Sequence, residues 1–113
     1  MPGSSEAHRP ASESFQRFGT VTVGTLEIVL LIRESHSLKS RRRVVRSLTD
    51  RIRSRFNVSV ADLGDQDVWQ RAVIGVAVVA NDGRFVNEVL SKVLALVASD
   101  PRAEVVDQFM ELR

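Results

Sequence analysis

The chain has no cysteine, only one tryptophan and no long apolar segment. The lack of cysteine excludes disulfide frameworks, thiolate zinc sites, iron–sulfur clusters and cysteine nucleophiles. No apolar run approaches the ~20 residues that a membrane-spanning helix needs, and the N-terminus lacks the basic-then-apolar pattern of a secretory signal. These absences predict a cytoplasmic protein, and the length of 113 residues allows one modest core.

The net charge of +2 conceals an uneven distribution along the chain. Nine of the sixteen Lys and Arg residues lie within residues 33–55, together with only two acids. This window therefore carries +7, and the rest of the chain carries −5. Such an asymmetry points to a polyanionic partner more than the net charge does.

Four segments have the composition of β-strands. Residues 20–32 and 71–80 are β-branched and almost continuously apolar, which is typical of strands with neighbours on both sides. Residues 58–63 alternate, and residues 103–112 are more polar, so both segments are predicted to be edge strands.

Two segments have the apolar period of helices. The first is predicted over residues 38–56, with Ser37 as its N-cap. The second is predicted over residues 84–99, capped by Asn81 or Asp82 and stopped by the following Asp-Pro pair. Its buried face is expected to contain the apolar residues Phe85, Val86, Val89, Leu90, Val93, Leu94 and Val97.

The order β-α-β-β-α-β predicts a ferredoxin-like α+β fold. Right-handed crossovers place the two apolar strands in the centre of a four-stranded antiparallel sheet, with both helices on one face. Residues 18–113 form this single domain, and the Ser-, Pro- and Gly-rich residues 1–17 are expected to be a disordered tail. The second sheet face is left open.

The first helix carries the candidate site. We expect one of its faces to bind RNA or a ribosomal subunit through Lys39, Arg42, Arg43, Arg46 and Arg53. Arginine suits this role because its planar fork donates two hydrogen bonds to a phosphate and stays charged. The alternative is a basic face that is merely solvated. Arg41 falls near the apolar stripe, where it could extend along the core edge or pair with an acid.

The open sheet face carries the second candidate function. Base stacking of the RNA-recognition type needs aromatic residues on the central strands, and these strands contain none. Aliphatic residues there favour a homodimeric protein-interaction module, with Val29, Leu31 and Trp69 as candidate interface residues. Trp69 has a second interpretation, in which it closes the hairpin end of the core.

No catalytic set emerges from the remaining polar residues. Asp62, Asp65 and Asp67 do not have the spacing of a calcium loop, so no metal site is predicted. His36 stands between two serines, but adjacent residues rarely form a nucleophile–base pair. Glycine-rich phosphate loops are absent, and we expect neither enzymatic activity nor a cofactor.

The residues around the basic helix resemble the YlxP-like family of small bacterial proteins, a domain of unknown function. The resemblance covers about residues 21–112 and is most specific at residues 37–39, Arg42 and residues 56–61, 65–67 and 69–71. It implies a ferredoxin-like fold and a gene often found beside genes for translation initiation and ribosome-binding factors. It supplies no catalytic residues, and residues 1–17 lie outside it.

Overall fold

A computed structural model describes residues 21–33, 36–64 and 70–113, and in them the elements follow the predicted order. The strands and helices are β1 (Thr22–Leu31), α1 (Leu38–Arg55), β2 (Ser59–Asp62), β3 (Arg71–Ala80), α2 (Gly83–Ala98) and β4 (Glu104–Leu112). One antiparallel sheet has the strand order β2-β3-β1-β4. The two apolar strands therefore lie in the centre, and the predicted ferredoxin-like fold is confirmed.

Alternation along the central strands divides the sheet into a buried face and an open face. Leu26, Ile28 and Leu30 of β1 are fully buried beneath the helices, as is Ile74 of β3. The helices complete the core with Val45, Leu48 and Ile52 of α1 and with Val86, Leu90, Val93, Leu96 and Val97 of α2. Nearly all apolar side chains of one sheet face thus belong to a single core.

The expected burial of Phe85 is wrong, because its side chain is 51% exposed. Phe85 lies about 100° around the helix from Val86, which faces the sheet. It therefore projects past the margin of the core in the first turn of α2.

Both helices begin at the predicted caps. The Ser37 hydroxyl accepts a hydrogen bond from the Ser40 amide at 3.1 Å. Of the two candidates for the second helix, Asp82 is the cap, and its carboxylate accepts from the Arg84 amide at 3.0 Å. Each cap satisfies an amide that has no partner within the helix.

The open face carries the odd-numbered residues of β1 and their cross-strand neighbours. Val29 and Leu31 are half-buried on this face. Val79 and Phe109 are 66% and 57% exposed. The predicted tail, Trp69 and the Asp65–Trp69 loop lie outside the described residues. In the described part of the chain, no helix is long and apolar enough to span a membrane.

Gly24 allows α2 to pack closely against β1. A Cβ atom at this position would overlap Val86 Cγ1 and lie 2.9 Å from Leu90 Cδ1. Both neighbours are fully buried, so neither can move without disturbing the core. At Gly75, by contrast, a Cβ would meet only the tip of Leu63, whose side chain is 55% exposed.

We predict that Gly24→Ala lowers the free energy of unfolding by about 1–3 kcal/mol, because the added methyl overpacks the α2–β1 contact. The matched substitution Gly75→Ala is expected to leave it unchanged or raise it by up to about 1 kcal/mol, since Leu63 can swing into solvent. Urea denaturation of both variants measures the difference. Equal effects would contradict the assigned close packing.

Candidate functional site

The predicted basic residues gather on the outer side of α1. Lys39, Arg42, Arg43 and Arg46 line one shallow depression, whose far end is formed by Ser47, Asp50 and Arg51. The i, i+3 and i+4 spacing of a helix brings these side chains to one face. Four of the five predicted residues therefore share one surface, which we call the basic depression.

Arg53, the fifth predicted residue, is held differently. It donates to the Val60 carbonyl at 3.1 Å and to the Asp50 carboxylate at 3.4 Å. It lies with Arg42 and Arg46 around an adjoining hollow on the side of β2. These bonds restrain Arg53 at the border of the basic depression.

Three cations of the basic depression have no ion-pair partner within residues 21–33, 36–64 and 70–113. Lys39, Arg43 and Arg46 are exposed and form no ion pair among the described residues. The first turn of α1 contains no acidic residue. A cation in the first turn of a helix is repelled by the helix dipole, so Lys39 lies where it weakens the helix.

A buried carboxylate attaches the outer side of α1 to the turn between α2 and β4. Asp100 accepts hydrogen bonds from Arg102 on both carboxylate oxygens, at 3.0 and 2.7 Å, and pairs with Arg51 at 3.1 Å. Arg102 also donates to the Ser47 hydroxyl at 2.9 Å. The bonds from Arg102 lower the pKa of Asp100 to about 2, although its burial acts in the opposite direction.

Sequence reasoning missed Arg102 as a neighbour of the basic helix. It is 55 residues from Ser47 in the sequence, and no local pattern links the two positions. The Asp-Pro pair indicated the end of the second helix, but the contacts of Asp100 with two arginines depend on how the helices pack.

Arg41 takes both of the roles expected for it. Its side chain is fully buried, and its guanidinium lies 3.6 Å from the Asp62 carboxylate. None of its three side-chain nitrogen atoms has a hydrogen-bond partner among the described residues. Arg41 therefore belongs to the protein interior and is separate from the basic depression.

The open sheet face carries acidic side chains, whereas the outer side of α1 carries mainly basic ones. Three acids stand on it: Glu27 of β1, and Asp107 and Glu111 of β4, which lie opposite Val29 and Thr25 of β1. Glu111 pairs with Arg113 at 2.9 Å, whereas Glu27 and Asp107 form no ion pair with any described residue. These acids would repel phosphates, and the apolar residues on the same face are suited to contact with another protein. Within the described ranges, no three His, Cys, Asp or Glu residues form a group that could hold a metal ion.

The hydrogen bonds that Asp100 accepts predict that the stability of the protein falls at low pH. Because the pKa of Asp100 is about 2 in the folded protein and 3.8 ordinarily, its ionised form adds stability above about pH 4. This contribution, about 2 kcal/mol, is lost as the pH falls from 4 to 2.

We predict that Asp100→Asn lowers the free energy of unfolding by about 2 kcal/mol at pH 7 and that the difference from wild type shrinks between pH 4 and 2. The control is Asp50→Asn, because Asp50 is 65% exposed in its ion pair and should contribute under about 1 kcal/mol. Thermal unfolding across this pH range provides the measurement. A difference that does not change with pH would contradict the role of Asp100.

Comparison with known proteins shows which family of sequences the chain is similar to. The family described as "Protein of unknown function (DUF503)" matches residues 23–110. The chain is 35% identical over 82 residues to the "Uncharacterized protein YlxP" of Bacillus subtilis (strain 168), covering 73% of this chain and 89% of that protein. The solved structure "De novo designed protein Foldit4" is similar with a TM-score of 0.50 and 13% identity, over 82% of this chain and 96% of the other, and shows the fold alone. The chain belongs to the DUF503 family of proteins of unknown function.

Proposed function

We propose that this protein is a non-enzymatic RNA-binding protein whose basic depression holds the phosphates of an RNA. The supporting observation is the group formed by Lys39, Arg43 and Arg46, which are exposed without an ion pair to the described residues. One of them, Lys39, lies in the first helical turn, where the helix dipole opposes its charge. A cost in helix stability is understandable if an external polyanion supplies the missing negative charge.

The chemistry of the surface favours nucleic acid over a small anion. The basic depression extends along more than two turns of α1, from Lys39 to Arg51, which matches several phosphates in succession. Arginine forks and a lysine bind such a backbone by charge and shape, without reading bases. The gene neighbourhood implied by the family resemblance makes ribosomal RNA, in the cytoplasm, the partner that we propose.

We predict that the triple variant Lys39→Glu, Arg43→Glu, Arg46→Glu loses most of its affinity for fluorescein-labelled decauridine. Single-stranded RNA binding changes by about 0.7 log units per log unit of salt for each phosphate contacted, so loss of three contacts should lower this slope by about 2. Fluorescence anisotropy between 50 and 200 mM salt, a range typical of such titrations, measures both quantities.

The matched control is Arg55→Glu, Arg84→Glu, Lys92→Glu, which makes the same charge change at exposed positions outside the basic depression. It should retain much more affinity than the site variant. The site variant should also be as stable as wild type or slightly more stable, because Glu near a helix N-terminus is favoured. Equal loss of affinity in the two triple variants would contradict a site on α1.

The open sheet face supports a second candidate function, that of a homodimeric interaction module. Val79 and Phe109 are more than half exposed there, and Leu63, which lies over Gly75 of the same face, is 55% exposed. Apolar side chains grouped on one face of a sheet are typical of an interface. A second copy of the chain is the partner that we propose, and it would leave the basic depression accessible on the helix side.

We predict that the mass of the wild-type protein in sedimentation equilibrium rises with concentration toward that of a dimer. Phe109→Lys should give a monomer, since burying the new charge opposes association. Phe85→Lys is the matched control, because Phe85 is similarly exposed, at 51%, but lies on α2. A wild-type mass that stays monomeric would exclude this function.

A further inference from the structure

A second cavity lies beside the basic depression, at one end of the sheet. It is bordered by the end of β1, the first half of α1 and the turn between α2 and β4, and we call it the end pocket. Its apolar wall is formed by Leu31, Ile32, Val44, Pro101 and Ala103. Its volume is about 730 Å³, within the ~300–1,000 Å³ range of small-molecule sites.

The arginines on the rim of the end pocket differ in whether acidic side chains among the described residues hold them. Arg33 donates to Glu104 through two nitrogens, so this wall is electrically neutral. Arg102 is fixed by its two bonds to Asp100. Arg43, in contrast, forms no ion pair with the described residues and remains available to an anion.

Arg43 belongs to both the end pocket and the basic depression. Ser47 of the depression is likewise bonded to Arg102 of the pocket. The two cavities thus adjoin, and a ligand that fits both needs a compact, flat group with apolar faces at one end and a run of negative charges beyond it. A nucleotide within an RNA strand has this chemistry.

We infer that the end pocket holds one unpaired base of the RNA strand whose phosphates lie in the basic depression. This inference rests on the proposed function. The base lies on the apolar wall of Val44, Pro101 and Ala103 beside the fixed guanidinium plane of Arg102, and Arg43 binds the adjoining phosphate. The pocket contacts the face of a base, so it is tolerant of sequence.

The test compares two ligands of equal charge on the full chain. Decauridine is one, and a ten-unit tetrahydrofuran–phosphate strand without bases is the other. We expect the wild-type protein to bind decauridine about tenfold more tightly, because the strand without bases cannot stack on the guanidinium of Arg102.

The variant Ser40→Leu should remove this preference. Ser40 lines the pocket, and leucine there would occupy the space of the base without changing the charge. The helix cap is retained because Ser37 bonds to the backbone amide of Ser40. Ser54→Leu is the matched control, on the exposed side of the same helix and outside the pocket.

Each outcome separates this inference from the proposed function. Equal affinity of wild-type protein for the two strands, with the charge-reversed triple variant still deficient, would overturn the base pocket and leave RNA binding intact. Failure of both strands to bind would overturn the proposed function itself. If uridine monophosphate alone competes for the pocket as effectively as decauridine, the site takes free nucleotides and the strand model is wrong.

Discussion

The carboxylate of Asp100 connects the parts of the molecule on which the functional account depends. It lies at the end of α2 and binds Arg51 of α1 together with Arg102 of the following turn. Arg51 belongs to the basic depression and Arg102 to the end pocket. Because Asp100 is almost fully buried and fixed by several bonds, it sets the relative position of the two cavities.

The two faces of the domain differ in electrostatics, and this difference separates their candidate functions. The outer side of α1 exposes cations that the described residues leave without ion pairs, in a helix whose first turn contains no acid. The open sheet face exposes apolar side chains among acids such as Glu27 and Asp107. An RNA on the helix side and a second copy on the sheet side would therefore not compete.

The fold could be predicted from the sequence because local and global signals agree. Apolar strands at residues 20–32 and 71–80, and caps at Ser37 and Asp82, lead to the ferredoxin-like order that the structure confirms. Phe85 was misplaced because helical periodicity does not show where the sheet ends. Four of the five cations of the basic depression could be found because helical spacing is local, whereas Arg102 and the end pocket arise from contacts distant in sequence.

The central claim is that RNA lies on the outer side of α1, and amide chemical shifts measured while decauridine is added to the isotope-labelled full chain test it most directly. The account predicts that the perturbed amides belong to residues 39–47 and to Arg102, and that they shift together as the RNA saturates. Perturbations confined to β3 and β4, or none at saturating RNA and low salt, would contradict it.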